Sequence, residues 1–420
     1  DEAACAATIV LLGPDRKEEL PVLYLRLRDA AEKRRSRILE FSALDTGLTD
    51  YAWKSIRHEP GGQAAAVAAA LADEEVAEQL ASGPVVAVVG RANLAESVDG
   101  TLAALAALQG AAPGTTVLPA LRRGNVVGAL SLGMAPASDE HDGLATLRAA
   151  VAGSIDLLVL VGADPLNDCP DAELARRALA GARRIISVDT MPTESTKLAD
   201  VVLAVAAYGE KSGTTTNLEG RVTSLAQKVT ARGTVRPDWM VAVELGRMLG
   251  DRSFGADHPL ADVTGVDDVT DAIAATVPGF EGVTREALAD DHDGVLAGSE
   301  PAGLGDVEFS VASRNSYDYR LVVSRKLYDR AVGTAMSRSL AHLAPGPGIR
   351  VNPLDLDSLG VTAGDEVKIV SPRATAILPV HGDPRIPRGI VWSPFNQGGG
   401  KIEDIIDAAA PVTDVQIEVL

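Results

Sequence analysis

Two glycines stand where a main chain could approach a phosphate group. Gly13 and Gly162 each follow an apolar, β-branched run and precede a stretch of helical character. A glycine between a parallel strand and a helix lets a nucleotide phosphate or a pterin come close to the backbone. Asp45 and Asp189, which end the next strand in each case, could then accept a hydrogen bond from a ribose or a guanine. The alternative is structural, because a tight strand-to-helix turn favours glycine and a carboxylate caps a helix.

The densest group of polar side chains lies in residues 193–221, TESTKLADVVLAVAAYGEKSGTTTNLEGR. A polar, glycine-containing stretch between a strand and a helix is typical of a crevice that binds a ligand. A network of buried polar side chains that holds one loop conformation explains the same composition. Both interpretations stay open on the residues alone. The side chains concerned are Glu194, Lys197, Asp200, Glu210, Lys211, Asn217, Glu219 and Arg221.

Other chemical motifs are incomplete. Residues 398–401, GGGK, resemble the end of a phosphate-binding loop, but Ile402 stands where Ser or Thr would reach magnesium. His141 and His292 lie in acidic surroundings without a second histidine at metal spacing, which favours solvated loops. Cys169 precedes a predicted helix, where a thiol can become reactive, but a small buried side chain is the favoured interpretation.

The elements that would position these residues form an internal repeat. A strand at 8–12, a turn at Gly13, a helix from Pro21 and a strand at 37–41 recur as a strand at 156–161, a turn at Gly162, a helix from Pro170 and a strand at 184–188. Continuously apolar strands alternating with helices indicate parallel sheets buried on both faces. The sequence therefore predicts a doubly wound α/β fold over roughly residues 1 to 250.

Two further regions follow the α/β part. Residues 251–310 contain 14 acidic and only two basic side chains, and we expect a connector over the surface with at most one short helix at 269–277. After about residue 320, short strands separated by turn residues predict a small C-terminal β-barrel. The predicted division is 1–80 for the end of a first α/β domain, 81–250 for a second, 251–319 for the connector and 320–420 for the barrel.

Composition excludes several classes of protein. The 420 residues carry a formal net charge of −19, which argues against nucleic-acid binding. The two cysteines, Cys5 and Cys169, cannot supply the four thiolates of an iron–sulfur cluster or a structural zinc site. No apolar run reaches the length of a membrane span. Because residue 1 is Asp, we expect the chain to begin inside a longer polypeptide.

Residues 193–221, preceded by a strand that ends in Asp189, resemble the signature T-E-T-A-K-x-A-D-V-V-L-P…E-K-x-G-x-x-x-N-x-E-G-R of the molybdopterin oxidoreductase superfamily. Residues 162–165, GADP, look like the superfamily's strand-end turn, and residues 320–420 look like its C-terminal dinucleotide-binding barrel. Within the superfamily, residues 12–26 and the EKSGTTTNLEGR wording are most similar to the large iron–sulfur subunits of bacterial NADH-quinone oxidoreductase, respiratory complex I.

The resemblance implies a structural C-terminal part of an electron-transfer subunit. Its clusters, of the 4Fe-4S and 2Fe-2S types, would lie in an N-terminal region, and this segment would carry no redox centre, no metal and no catalytic residue. Vestigial pterin-pocket candidates are Gly162, Asp189, Lys211, Gly213 and Asn217. Ala204 stands where the family has proline, and the Gly13 turn lacks the family's closing proline, which weakens that assignment.

The implied setting is the peripheral arm of complex I, on the cytoplasmic side of the bacterial plasma membrane. The implied partners are other peripheral-arm subunits, with neither nucleic acid nor direct membrane insertion. A first alternative is the C-terminal fragment of a catalytic molybdopterin oxidoreductase such as formate dehydrogenase. A second alternative is a free-standing module that binds a guanine nucleotide.

Overall fold

The first five strands form one parallel sheet, in the order β3-β2-β1-β4-β5. In this computed structural model the described residues are 2–134, 136, 141–249, 258, 260–298, 304, 307, 309–310, 318–399, 402–407 and 410–420. β1 pairs with β2 on one side and with β4 on the other, so the chain direction across the sheet reverses beside β1. The strands are β1 (Thr8–Leu12), β2 (Arg37–Ser42), β3 (Lys54–Arg57), β4 (Val85–Val89) and β5 (Thr116–Pro119).

Helices cover both faces of this sheet. Tyr24, Leu27 and Ala30 pack on one face, and the other face meets a second apolar cluster that includes Val67 and Leu105. This arrangement explains why every residue of β1 is buried, as expected for a doubly wound parallel sheet. The helices are α1 (Glu2–Cys5), α2 (Arg16–Glu19), α3 (Pro21–Lys33), α4 (Gln63–Leu71), α5 (Glu74–Ala81) and α6 (Asp99–Ala111), with a 3-10 turn at Thr49–Tyr51.

The chain separates into two compact units. The first contains Asp1–Ala120, Asn167–Glu173 and Gly303–Leu420, and the second contains Leu121–Leu166 and Leu174–Ala302. This division differs from the boundary predicted at residue 80, because β4 and β5 complete the sheet that β1 begins. A linear repeat in the sequence does not show that a later strand returns to the centre of an earlier sheet.

The second unit contains two three-stranded sheets. One is parallel, in the order β6-β7-β8, and the other is antiparallel, in the order β11-β10-β9. Its strands are β6 (Leu157–Val161), β7 (Arg184–Asp189), β8 (Val201–Ala204), β9 (Gly213–Thr216), β10 (Arg221–Leu225) and β11 (Val295–Leu296). The helices between residues 121 and 302 are α7 (Val126–Ala129), α8 (Gly143–Val151), α9 (Pro165–Asp168), α10 (Ala172–Gly181), α11 (Asp238–Leu249), α12 (Val266–Thr276) and α13 (Arg285–Asp290). Asn167–Glu173, which includes the end of α9 and the start of α10, belongs to the first unit.

The acidic segment has more structure than the sequence predicted. Its longest described stretch, residues 260–298, contains α12, α13 and β11, and β11 pairs with β10. Phe280, Val283 and Leu288 form an apolar cluster with Val222 of β10. Because these few apolar side chains are buried, the segment packs on the sheet instead of only crossing the surface. Residues 251–257, 259, 299–303, 305–306, 308 and 311–317 of the predicted connector lie outside the described residues.

The C-terminal part of the first unit is a closed six-stranded barrel, in the order β12-β16-β13-β15-β14-β17. Its core includes Leu94 and Ala95, which enter from the loop after β4. Doubly wound parallel sheets followed by a β-barrel are the predicted fold class, which is confirmed. The elements are β12 (Tyr319–Ser324), α14 (Val332–Ala335), β13 (Ile349–Val351), α15 (Pro353–Leu359), β14 (Glu366–Val370), β15 (Thr375–Gly382), β16 (Ile390–Pro394), α16 (Ile402–Ile405) and β17 (Asp414–Val419).

Among the described residues, none of the helices is both long and apolar enough to cross a lipid bilayer.

Candidate functional site

The turn after β1 is closed by protein atoms. A Cβ atom added to Gly13 would lie 2.7 Å from the Gly90 nitrogen, 2.8 Å from the Gly90 oxygen and 2.9 Å from Arg16 Nη2. Contacts this short are sterically forbidden for a methyl group. The glycine at this position is therefore required by the approach of two protein segments, not by open space for a phosphate.

Arg16 fills the region behind that turn. Its side chain is only 2% exposed, and its guanidinium group donates to the Pro14 carbonyl and, at 2.8 Å, to the Val88 carbonyl. Burial lowers the pKa of Arg16 to about 10, so the group remains cationic at neutral pH. An internal guanidinium thus ties the β1 turn to β4 at the point where chain direction reverses, the usual ligand position in open α/β sheets.

A cavity of about 620 Å³ lies beside this turn, at the carboxyl ends of the strands. Its α/β wall includes Asp15, Asp45, Thr46 and Arg91, and its other wall comes from the barrel of the same unit. Asp15 caps α2 and also accepts a hydrogen bond from the Gly47 N–H at 3.1 Å, while burial raises its pKa. Asp45, the predicted ribose or guanine acceptor, is ion-paired with Arg57.

The barrel wall carries an aromatic side chain between cations. Lys326 lies 5.9 Å and Arg350 lies 5.4 Å from the centre of the Trp392 ring. Lys326 is ion-paired with Glu18, and Arg350 with Asp383 at 2.9 Å. Arg385 also binds Asp383, at 2.8 Å, and its guanidinium holds the pKa of that carboxyl well below the usual range. These three cations of the cavity wall therefore have carboxylate partners inside the protein.

The second strand-end turn is open. Gly162 has φ +57°, a left-handed conformation that favours glycine, and no atom lies within 4 Å of an added Cβ. Its N–H donates to the Val188 carbonyl at 2.8 Å. Asp189 lies at the end of β7, and its carboxylate accepts from the Thr190 and Met191 N–H groups at 2.7 and 3.3 Å. The two copies of the repeat thus use their glycines for different physical reasons.

Residues 193–196 form a buried polar network. The Asp164 carboxylate accepts hydrogen bonds from both the N–H and the hydroxyl of Ser195. The Thr193 and Thr196 hydroxyls lie 2.7 Å apart, and the Thr196 N–H donates to Thr193 at 3.0 Å. The contacts in this part of the motif agree with a network of buried polar side chains that holds the loop, because the polar groups bond to one another.

The second half of the motif shapes a hairpin between β9 and β10. The Asn217 side chain accepts from the Glu219 and Arg221 N–H groups at 2.9 and 3.0 Å, and Gly220 has φ +80°. Lys211 is ion-paired with Asp238 at 2.6 Å. Gly213 begins β9, and nothing lies within 4 Å of an added Cβ. The glycines at 162 and 213 have free space beside them, whereas the polar candidates contact protein groups.

The remaining candidates contribute little chemistry. Cys169 is buried, as predicted, and burial raises the pKa of its thiol. His141 and His292 are exposed. Within the described ranges, no three His, Cys, Asp or Glu side chains group closely enough to hold a metal ion. Residues 400 and 401 of the GGGK run lie outside those ranges.

Sequence reasoning missed the residues that join the barrel to the first sheet. Asn93 donates to the Leu321 carbonyl at 3.0 Å and accepts from the Val323 N–H at 2.8 Å. It also missed the buried position of Arg16 and the pairing of Asp383 with two arginines. The RANLAES wording at 91–97 offers no periodic signal, and the 381–384 stretch predicts only a turn.

Two models of known protein families match this chain, one over the α/β part and one over the barrel. The molybdopterin oxidoreductase family model matches residues 3–248, and the molybdopterin dinucleotide binding domain model matches residues 319–416. The chain belongs to the molybdopterin oxidoreductase family. The predicted superfamily is thereby confirmed, and the second model covers the barrel.

The relatives that this chain resembles are named as subunits of different oxidoreductases. The chain is 28% identical to a subunit of NADH-quinone oxidoreductase from Rhizobium meliloti, over 92% of this chain and 52% of that protein. It is 28% identical to the alpha subunit of F420-dependent formate dehydrogenase from Methanocaldococcus jannaschii, over 58% of this chain and 39% of that protein. The chain therefore spans about half or less of the length of these relatives.

Acetylene hydratase from Pelobacter acetylenicus has a similar fold. The TM-score is 0.72 at 13% sequence identity, and the match covers 99% of this chain and 78% of that one. At this identity the likeness concerns the fold alone.

Proposed function

We propose that this chain is a structural portion of the large iron–sulfur subunit of an NADH-quinone oxidoreductase. Such a subunit passes electrons from NADH through iron–sulfur clusters towards quinone, coupled to ion translocation. In this proposal the clusters lie elsewhere in the subunit, and these 420 residues carry no redox centre. Their role is to hold neighbouring subunits of the peripheral arm on the cytoplasmic side of the membrane.

The observation that carries the proposal is the internal pairing of the candidate ligand-binding groups. Asp189 caps its own turn, Lys211 binds Asp238, and Asn217 closes its own hairpin. A pterin dinucleotide that bound these groups would compete with these partners, and each partner displaced would leave a protein donor unpaired. The polar residues present therefore do not fit the family's cofactor.

The turn in the first copy of the repeat also does not fit the cofactor, because protein atoms occupy the space beside its glycine. The space beside Gly13 contains the Gly90 backbone and the Arg16 guanidinium. The Asp15 carboxylate stands at the start of α2, where it disfavours a second anion. A diphosphate at this turn would displace buried protein groups, so the residues around Gly13 do not fit one.

An exposed apolar sheet face in the second unit also supports a role in an assembly. Leu157, Val159 and Val161 of β6 and Val201 of β8 are 45% to 57% exposed. Parallel strands normally have both faces covered, and exposed apolar patches mark protein contacts. The similarity to the Rhizobium meliloti protein, which is named as a subunit, over 92% of this chain is consistent with a multisubunit setting.

The second candidate is part of a catalytic molybdopterin oxidoreductase such as a formate dehydrogenase. The free space beside Gly162 and Gly213 favours it, because a ligand could approach the backbone there. The similarity to a formate dehydrogenase subunit covers 58% of this chain.

Purification of the assembly through an affinity tag on this chain, from the cells that make it, tests the choice. We expect NADH-dependent quinone reduction and no formate oxidation. A Lys211→Met variant should retain quinone reduction per assembled complex, as should the control Lys197→Met, whose exposed lysine pairs with Glu194. Formate-dependent reduction of a viologen dye that is lost only in Lys211→Met would contradict the proposal.

A further inference from the structure

A basic groove lies at the amino ends of the strands of the first sheet, opposite the candidate cavity. It is lined by Cys5, Arg34, Arg35, Arg37 and Gln79, together with Ser36 and short backbone segments. We call these five residues the arginine groove. All three arginines are exposed.

Within the part of the chain that the structure describes, none of the three arginines of the groove forms an ion pair with a carboxylate. Arg34 contacts the Cys5 sulfur at 3.2 Å, and Arg37 lies 4.9 Å from the centre of the Trp53 ring. Arg35 makes no hydrogen bond or ion pair with the residues that the structure describes. The carboxylates of α3 are engaged within that helix, where Asp29 pairs with Lys33 and Glu32 pairs with Arg28. A concentrated cationic site is therefore present on a protein with net charge −19.

Arg35 is held in a conformation that disfavours it. It follows the end of α3 with φ +62°, in the left-handed region. This position after a helix normally carries glycine or asparagine, because a Cβ atom is strained there. An exposed arginine at this position lowers the stability of the fold, and its side chain makes no hydrogen bond or ion pair within the described residues that would compensate. Strained residues of this kind cluster at binding sites.

The second copy of the repeat provides an internal comparison. Arg184 is the first residue of β7 and corresponds to Arg37, the first residue of β2; Arg183 precedes it where the first copy has Ser36. Arg183 pairs with Asp156 at 3.4 Å, and Arg184 pairs with Asp200 at 3.0 Å. At the start of the strand, the second copy therefore pairs its arginine with a carboxylate, whereas Arg37 has no carboxylate partner among the described residues. The lack of neutralisation is thus not a requirement of the repeated fold.

We propose that the arginine groove binds an acidic polypeptide segment of a partner protein. A guanidinium group can donate two parallel hydrogen bonds to one carboxylate, and the three arginines lie within four consecutive residues, between the end of α3 and the first residue of β2. The Ala7, Ser36 and Arg37 N–H groups that border the groove already donate to backbone carbonyls, which argues against a small phosphate held by the main chain. An anionic membrane would face the whole chain, whose net charge of −19 is repulsive, whereas a narrow acidic segment contacts only the groove.

Binding of a fluorescein-labelled oligoglutamate peptide to the full chain, followed by fluorescence anisotropy, tests the proposal. We expect saturable binding that weakens as salt is added. Arg35→Gly should weaken binding about threefold, from the loss of one exposed charge pair, while raising thermal stability by relieving the left-handed strain. Arg34→Glu with Arg35→Glu should weaken binding about tenfold or more, because attraction is replaced by repulsion. Arg183→Glu, a charge reversal at an exposed arginine of the second copy, is the control and should leave binding unchanged.

Alkylation of Cys5 by the neutral reagent N-ethylmaleimide locates the bound peptide. Cys5 lies in the groove and is exposed, whereas Cys169 is buried. The peptide should slow alkylation of Cys5, and a glutamine peptide of equal length should not. Equal weakening by Arg183→Glu, or binding that leaves Cys5 unprotected, would overturn the proposal. Protection of Cys5 by pyrophosphate or by phosphatidylglycerol vesicles, but not by the peptide, would also overturn it.

Discussion

Replacement of Gly13 by alanine distinguishes a packed turn from a ligand-binding turn. The added methyl group would lie 2.7 and 2.8 Å from backbone atoms of Gly90, which cannot rotate away. Either the turn or β4 must shift, and the hydrogen bond from the Gly90 N–H to the Leu12 carbonyl, 2.9 Å long, would be distorted. We therefore expect Gly13→Ala to destabilise the first unit.

The magnitude follows from the contacts. Overpacking of a dense interior costs about 1–3 kcal/mol, and a clash with backbone on a central strand belongs at the upper end. A loss of about 3 kcal/mol corresponds to a fall in melting temperature of about 6–12 °C for a unit of this size. Gly162→Ala, by contrast, meets no atom within 4 Å and should cost about 1 kcal/mol through its left-handed backbone alone.

Gly110→Ala is the matched control in the first unit. Gly110 lies in α6, and nothing lies within 4 Å of an added Cβ. Alanine is the better helix former, so this variant should gain roughly 0.5 kcal/mol. Thermal unfolding followed by far-ultraviolet circular dichroism measures all three variants. A Gly13→Ala midpoint equal to that of the wild type would refute the view that protein atoms fill the space beside Gly13.

Three further outcomes are expected. Asp383→Asn should cost about 2 kcal/mol at neutral pH, because the charged bonds to Arg385 are lost. The folded-state pKa of Asp383 is depressed, so the stabilisation of the folded chain by the ionised carboxylate is present above about pH 4 and is lost as the pH falls further. The unfolding midpoints of the wild type and Asp383→Asn should therefore converge in acid. A difference that stays constant with pH would count against the pairing of Asp383 with arginine. Glu40→Gln should cost about 2 kcal/mol in urea unfolding, since Glu40 is 1% exposed and accepts from Thr49 and Ser55 hydroxyls at 2.8 and 2.6 Å; an unchanged midpoint would contradict that network. Mass spectrometry after N-ethylmaleimide treatment should find one adduct on the native chain and two after denaturation, and two native adducts would mean that Cys169 is accessible.

Local patterns in the sequence predicted the elements well. The apolar runs at 8–12 and 366–370 correspond to β1 and β14 as observed. The turns at Gly13 and Gly162 lie where the repeat placed them, because a strand followed by glycine and an amphipathic helix is a local signal. The C-terminal barrel was predicted for the same reason, from short strands separated by turn residues.

Contacts between distant residues could not be read in this way. Asn93 bonds to Leu321, 228 positions away, and nothing in its neighbourhood marks it as part of a barrel. Arg16 looks like a surface residue of a short charged helix, yet its guanidinium is buried against β4. The turn at Gly13 therefore offered the same sequence signal as the turn at Gly162, although one is packed and the other is open.

Metal and pterin analysis of the purified 420-residue chain, produced in molybdate-supplemented cells, tests the central claim most directly. Molybdenum is measured by mass spectrometry, and pterin by the fluorescence of its oxidised derivative. Because the polar candidate groups are bonded within the protein, we predict only background amounts of both. Molybdenum and pterin in near-stoichiometric amounts would contradict the account.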